Sequence, residues 1–109
     1  MGMTIEEIAM VCRLHSGREP DQDRACAYGY VARHLEDRPA HTLEQLVADL
    51  VLWIDMHTQH AERARAQRSR FLALYEQQAA VYEEVLLWAK GEKRVDMQQI
   101  SEEETDATT

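Results

Sequence analysis

Residues 42–91 read TLEQLVADLVLWIDMHTQHAERARAQRSRFLALYEQQAAVYEEVLLWAKG, and the reading of this stretch decides the fold. It opens on Thr42-Leu43-Glu44-Gln45, a capping-box signature in which the threonine hydroxyl caps a helix and the residue three positions on reaches back. From Thr42 to Lys90 there is neither Gly nor Pro, and Gly91 supplies a natural stop. As one helix the segment would be a rod of roughly 73 Å, too long for a compact monomer of this size. It therefore bends back on itself or pairs with a second chain.

The apolar pattern bears on that choice. Steps of four and three from Leu43 pass through Val47, Leu50, Ile54, His57, Ala61, Ala64, Arg68, Phe71, Tyr75, Gln78, Tyr82, Val85 and Ala89, so one register survives from end to end. Its ends are strong and its middle is weak. Val51-Leu52-Trp53-Ile54 is apolar all round, which predicts a deeply buried turn. Between His57 and Arg70 the apolar side chains are Ala61, Ala64 and Ala66 alone. Either 57–70 is the solvated centre of a single helix, or a polar turn near His57–Glu62 divides it and gives a four-helix bundle. The lack of Gly, Pro, Asn or Asp at that turn favours the continuous or kinked helix.

Two shorter helices precede it. Thr4-Ile5-Glu6-Glu7 is a second capping box, followed by Ile5, Ile8, Ala9, Val11 and Cys12 at helical spacing. This predicts a helix from about Thr4 to His15 that stops at Gly17. Asp21 caps the next one, whose stripe is Ala25, Tyr28, Val31, Ala32 and Leu35. Gly29 inside it admits close approach of another helix, and Asp37-Arg38-Pro39 ends it, because the residue before a proline is pushed away from helical angles. The expected architecture is all-α: two short helices followed by one very long or kinked helix, the bundle completed by dimerisation. A single helical domain then covers residues 1–91. Residues 92–109, acidic and rich in small residues, read as a disordered tail.

Length and composition bound the function. The 109 residues are 45% hydrophobic and 29% charged with only 4 Gly and 2 Pro, which excludes collagen-like and wholly disordered chains. No run approaches the ~20 apolar residues of a membrane span, and the first residues lack a basic-then-apolar signal pattern. Two cysteines, Cys12 and Cys26, are too few for a disulfide scaffold. A reduced cytoplasmic protein without membrane contact is expected. The net charge of −8 is repelled by phosphate backbones and disfavours nucleic-acid partners, while it suits a basic protein partner.

Residues with chemical potential are few. His57 and His60 lie on one helix face near Asp55 and Glu62, but a metal site needs three or four converging ligands, and no Glu-x-x-His pair of a di-metal bundle occurs. Glu44, Asp49, Asp55, Glu83 and Glu84 lack the Glu-Glu-x-x-Glu pattern with which helical phosphohydrolases hold magnesium, so they read as solvated carboxylates. Cys12 and Cys26 have no adjacent base or glycine-rich elbow and read as small hydrophobes. Arg63, Arg65, Arg68 and Arg70 fall in two pairs on opposite sides of a helix, which suits pairing with acids of a neighbouring helix better than a phosphate-binding face. No catalytic residue, cofactor or metal ligand is assigned.

What remains is surface for protein contact. Trp53, Met56, Phe71, Tyr75, Tyr82 and Trp88 are of the types enriched in interface cores, and two short helices cannot cover them all. The sequence thus implies a homodimer and a non-catalytic protein-binding regulator or adaptor, of the kind a phage or mobile element uses to inhibit a host protein assembly. The alternatives are a small helical metal-binding or phosphohydrolase-like enzyme built on His57 and His60, and a DNA-binding regulator using the arginine cluster.

Overall fold

In the computed structural model, which describes residues 2–93, the chain forms four helices: α1 (Ile5–Arg18), α2 (Gln22–Glu36), α3 (Leu43–Ala66) and α4 (Leu72–Lys90). The helix starts follow from their caps. Thr4 Oγ1 accepts from the Glu7 amide at 3.1 Å while the Glu7 carboxylate accepts from the Thr4 amide at 3.0 Å. Thr42 and Gln45 make the same reciprocal pair at 3.1 and 2.9 Å, and Asp21 accepts from the Arg24 amide at 3.0 Å. Each pair satisfies amides that the first helical turn leaves without intrahelical partners. α1 runs through Gly17 rather than stopping there. Its end is set by Pro20, which holds Glu19 in extended backbone at ψ 119°.

The single long helix is corrected by the structure. The segment divides at residues 67–71, five positions beyond the expected His57–Glu62 turn, and α4 folds back antiparallel along α3. The break is made by Arg68, at φ 54° in the left-handed region. The Arg68 amide donates to Arg65 O at 3.2 Å and the Ser69 amide to Ala64 O at 2.8 Å. That pair of bonds closes a helix whose next residue has turned left-handed. Ser69 Oγ then accepts from the Phe71 amide at 3.1 Å, leading the chain into α4. Gly91 ends α4 in the same way, at φ 76°, with its own amide bonded to Trp88 O and the Glu92 amide to Leu87 O.

The four helices are two antiparallel hairpins, α1 with α2 and α3 with α4, joined chiefly where α2 crosses α4. α1 and α2 approach closely at Gly29, where a Cβ would stand 2.9 Å from Ser16 Oγ. The core lies between the hairpins. Ile8, Val11 and Cys12 of α1 meet Tyr28, Val31 and Leu35 of α2, Leu46 and Leu50 of α3, and Val81, Tyr82, Val85 and Trp88 of α4. Ala61 and Ala64 are buried where α4 covers the outer half of α3. Arg13 closes the surface of the first hairpin with a two-armed contact to Glu36 at 3.1 and 2.7 Å.

The apolar turn 51–54 is not deeply buried. α3 is an edge helix, covered along one side by α4, so only part of any turn can face inward. Trp53 and Ile54 are half-buried, whereas Val51 is 50% and Leu52 55% exposed. Within the described residues no helix is long and apolar enough to cross a membrane. The expectation of a disordered tail falls largely on residues 94–109, outside the described part of the chain.

Candidate functional site

Two neighbouring features on the α2–α3 side carry the chemistry of this molecule. The first is a polar cluster at the point where α2 hands over to α3. His34 stands in the last turn of α2, Asp49 two turns into α3, and His41 on the connection between them. The connection turns tightly: the Arg38 amide donates to Leu35 O at 3.1 Å, the His41 amide to Arg38 O at 3.0 Å, and the Arg38 guanidinium to His34 O at 3.2 Å. Pro39 cannot continue the helix, so the chain reverses and brings His41 back over His34. The two imidazoles stand edge to face with centroids 5.2 Å apart.

Both rings then converge on one atom. His34 Nε2 lies 2.8 Å and His41 Nε2 2.7 Å from Asp49 Oδ2. Burial on its own would raise the Asp49 carboxyl, but the hydrogen bonds from His34 and His41, with the field of those rings, outweigh it and hold the group below its ordinary value. The His34 and His41 side chains are 12% and 14% exposed and that of Asp49 31%, so the cluster is roofed by protein and open on the carboxylate side.

The second feature is an open apolar cleft of about 490 Å³ between α2, α3 and α4, lined by Cys26, Tyr30, Leu52, Trp53, Met56, His57, Gln78 and Tyr82. Trp53 joins the two features. Its ring meets His34 edge-on at 4.7 Å, Tyr30 at 5.0 Å and Tyr82 at 5.5 Å. Tyr30, Leu52 and Met56 form the outer rim, each about half exposed. Part of the polar lining is already engaged: His57 Nε2 is 3.1 Å from Gln78 Oε1, and His57 Nδ1 is 2.8 Å from Trp53 O.

The residues singled out for protein binding do not share one surface. Trp53, Met56 and Tyr82 line the cleft, with Tyr82 at its buried floor. Tyr75 stacks on His60 at 5.2 Å further along the α3–α4 seam. Phe71 is exposed at the inter-helix turn beneath the Arg70 guanidinium, 5.0 Å from its ring centroid. Trp88 is in the core, 1% exposed, with its ring 5.9 Å from that of His15 and 6.3 Å from that of Tyr28. Its Nε1 is buried with no hydrogen-bond partner among the described residues.

The other sequence candidates are distributed as follows. His57 and His60 are taken up by the contacts just given and belong to no cluster of three converging metal ligands among the described residues. Arg65 reaches Glu76 of the facing helix at 3.8 Å, on the surface, while Arg68 and Arg70 belong to the turn. Cys12 is buried, and burial pushes its thiol up to about 12, which keeps it protonated and inert. Sequence reasoning missed Tyr30, His34 and His41. Tyr30 carried a signal, since it is a large aromatic off the apolar stripe of its own helix. The histidines carried none, because the spacing that unites them depends on the angle between two helices.

No protein-family model, curated protein or solved structure matches this chain.

Proposed function

We propose that this protein is a non-catalytic protein-binding regulator or adaptor that works through the cleft between α2, α3 and α4. The observation that carries the reading is the apolar rim of Tyr30, Leu52 and Met56 around an aromatic floor of Trp53 and Tyr82. Apolar side chains clustered on one exposed face are what a partner covers, and aromatic residues and Met are the types enriched at interface centres. His57 and Gln78 already bond each other, which leaves the apolar and aromatic lining as the larger part of what the cleft offers. It suits the apolar face of a partner helix, with i, i+3 and i+4 side chains as anchors. The net charge of −8 favours a partner with basic flanks, including one that otherwise binds nucleic acid. Against such a partner the chain acts as a small inhibitor of the phage or mobile-element kind. In purified protein the same face pairs two copies as a homodimer.

The test is a double substitution, Leu52→Glu with Met56→Glu. It leaves the core untouched, and helix content by circular dichroism checks that the fold is kept. Tagged wild type should capture a stoichiometric partner from the source lysate and the variant should lose it. Light scattering should show a dimer for wild type and a monomer for the variant. A partner retained by the folded variant, or none captured by wild type, overturns the reading.

A further inference from the structure

We propose that His34, His41 and Asp49 form a binding site for one divalent transition-metal ion of the zinc class. The argument begins with convergence. Two imidazole nitrogens and one carboxylate oxygen, from two helices and the turn between them, all lie within 4.8 Å of one another. Both nitrogens are Nε2, the tip of the ring, which can reach a shared ion without moving the backbone. Tetrahedral zinc takes nitrogen at ~2.0–2.1 Å and carboxylate oxygen at ~2.0–2.2 Å, which puts neighbouring ligand atoms about 3.3 Å apart. The observed separations of 2.7 and 2.8 Å are those of hydrogen bonds. Each nitrogen–oxygen pair need therefore open by only about half an ångström, and the two nitrogens, within 4.8 Å of each other, need settle at the same spacing, by rotation of the three side chains.

The chemistry of the donor set narrows the ion. Two imidazoles and one carboxylate suit zinc and its neighbours in the first transition row, whereas calcium and magnesium prefer all-oxygen shells. On binding, each Nε2 presents its lone pair to the ion and the ring carries its remaining proton on Nδ1; any second ring proton leaves to solvent. Neutral imidazoles and one carboxylate bring a single negative charge to the ion, within a chain of net −8 that attracts cations. Three protein ligands leave a fourth position, and the exposed side of Asp49 opens it to water or to an external ligand. His34 is held on its other side by the Trp53 ring at 4.7 Å and by Tyr30, 6.3 Å away. An ion there pins α2 to α3 beside the cleft, where the two helices meet chiefly through side chains.

The full chain should bind ZnCl2 in a calorimetric titration at one ion per chain. Added zinc should raise its unfolding temperature. CoCl2 should give the visible bands of cobalt in a four-coordinate nitrogen–oxygen site. His41→Ala, placed on the turn outside any helix, and Asp49→Asn remove direct ligands and should each weaken binding by at least the roughly 10–100-fold that loss of an outer-shell partner costs. His57→Ala and His60→Ala should leave it unchanged. Histidine NMR on the wild-type chain keeps the proposal exposed even if a variant misfolds, because zinc must shift the Nε2 signals of two rings only. Absence of binding, binding that survives His41→Ala and Asp49→Asn, or zinc-induced shifts at His57 and His60 instead would each overturn it.

Discussion

Replacing Arg68 by glycine should stabilise this protein, an outcome with the opposite sign to that of the continuous-helix reading. Arg68 holds φ 54° at the end of α3. A left-handed backbone costs a residue with a Cβ about 1–2 kcal/mol, a penalty glycine does not incur. Glycine in turn loses more freedom on folding, a cost of about 0.5–1 kcal/mol. The difference predicts a net gain of about 0.5–1 kcal/mol. For a domain of this size that raises the melting temperature by roughly 2–8 °C. The side chain is exposed, so no packing changes, and Arg68→Gln controls for the lost charge at unchanged backbone strain. Had α3 and α4 been one helix, the same change would put glycine in a helix interior and cost up to ~1 kcal/mol. Urea unfolding followed by circular dichroism distinguishes the two. A variant less stable than both wild type and Arg68→Gln would refute the turn and the four-helix arrangement built on it.

Other outcomes follow from burial. Leu50→Ala, in the core, should cost about 2–5 kcal/mol, whereas Leu52→Ala, two residues on and exposed, should change stability by less than ~0.5 kcal/mol; equal losses in urea melts would contradict the edge position of α3. A thiol reagent should modify Cys26 promptly in the native protein and reach Cys12 only on unfolding, since Cys12 is buried with its thiol pushed up to about 12. One fast and one protected thiol by mass spectrometry is the expected count. Burial, with smaller contributions from Tyr30 and Cys26, pushes the Tyr82 phenol from 10.0 to about 12. The fold thus favours the neutral phenol, and its contribution to stability is whole below pH 10 and lost as the pH climbs towards 12. Burial raises the Tyr28 phenol as well, so an ultraviolet titration should show two tyrosines ionising late, together with alkaline unfolding; four tyrosines titrating together in folded protein would contradict the buried floor of the cleft.

The helix starts were legible because their signals are local. Thr4, Asp21 and Thr42 act within three residues of themselves, and Gly91 needs only its own backbone freedom. The division of the long segment was not legible for the same reason. Its left-handed residue is Arg68, which carries no mark of a turn, and the hydrogen bonds that make it one run back to Arg65 and Ala64. The weak apolar middle was real but had another meaning. Ala61 and Ala64 are small because α4 lies on them, so a seam between two helices looked like a solvated stretch. His34, His41 and Asp49 are separated by a tight reversal that no periodicity describes, while His57 and His60, close in sequence and with ring centroids 6.5 Å apart, are engaged by Trp53, Gln78 and Tyr75.

The two tryptophans occupy opposite situations, and this makes the molecule its own optical instrument. Trp88 is sealed in the core, so its emission should be blue-shifted and should move to the red when the fold opens. Trp53 is half-buried, with its ring against His34 on one side and the cleft on the other. Its fluorescence should therefore respond to an ion beside that imidazole and to any chain laid across Leu52 and Met56. With Trp88→Phe to silence the core signal, a single unlabelled residue reads both features of the α2–α3 side at once.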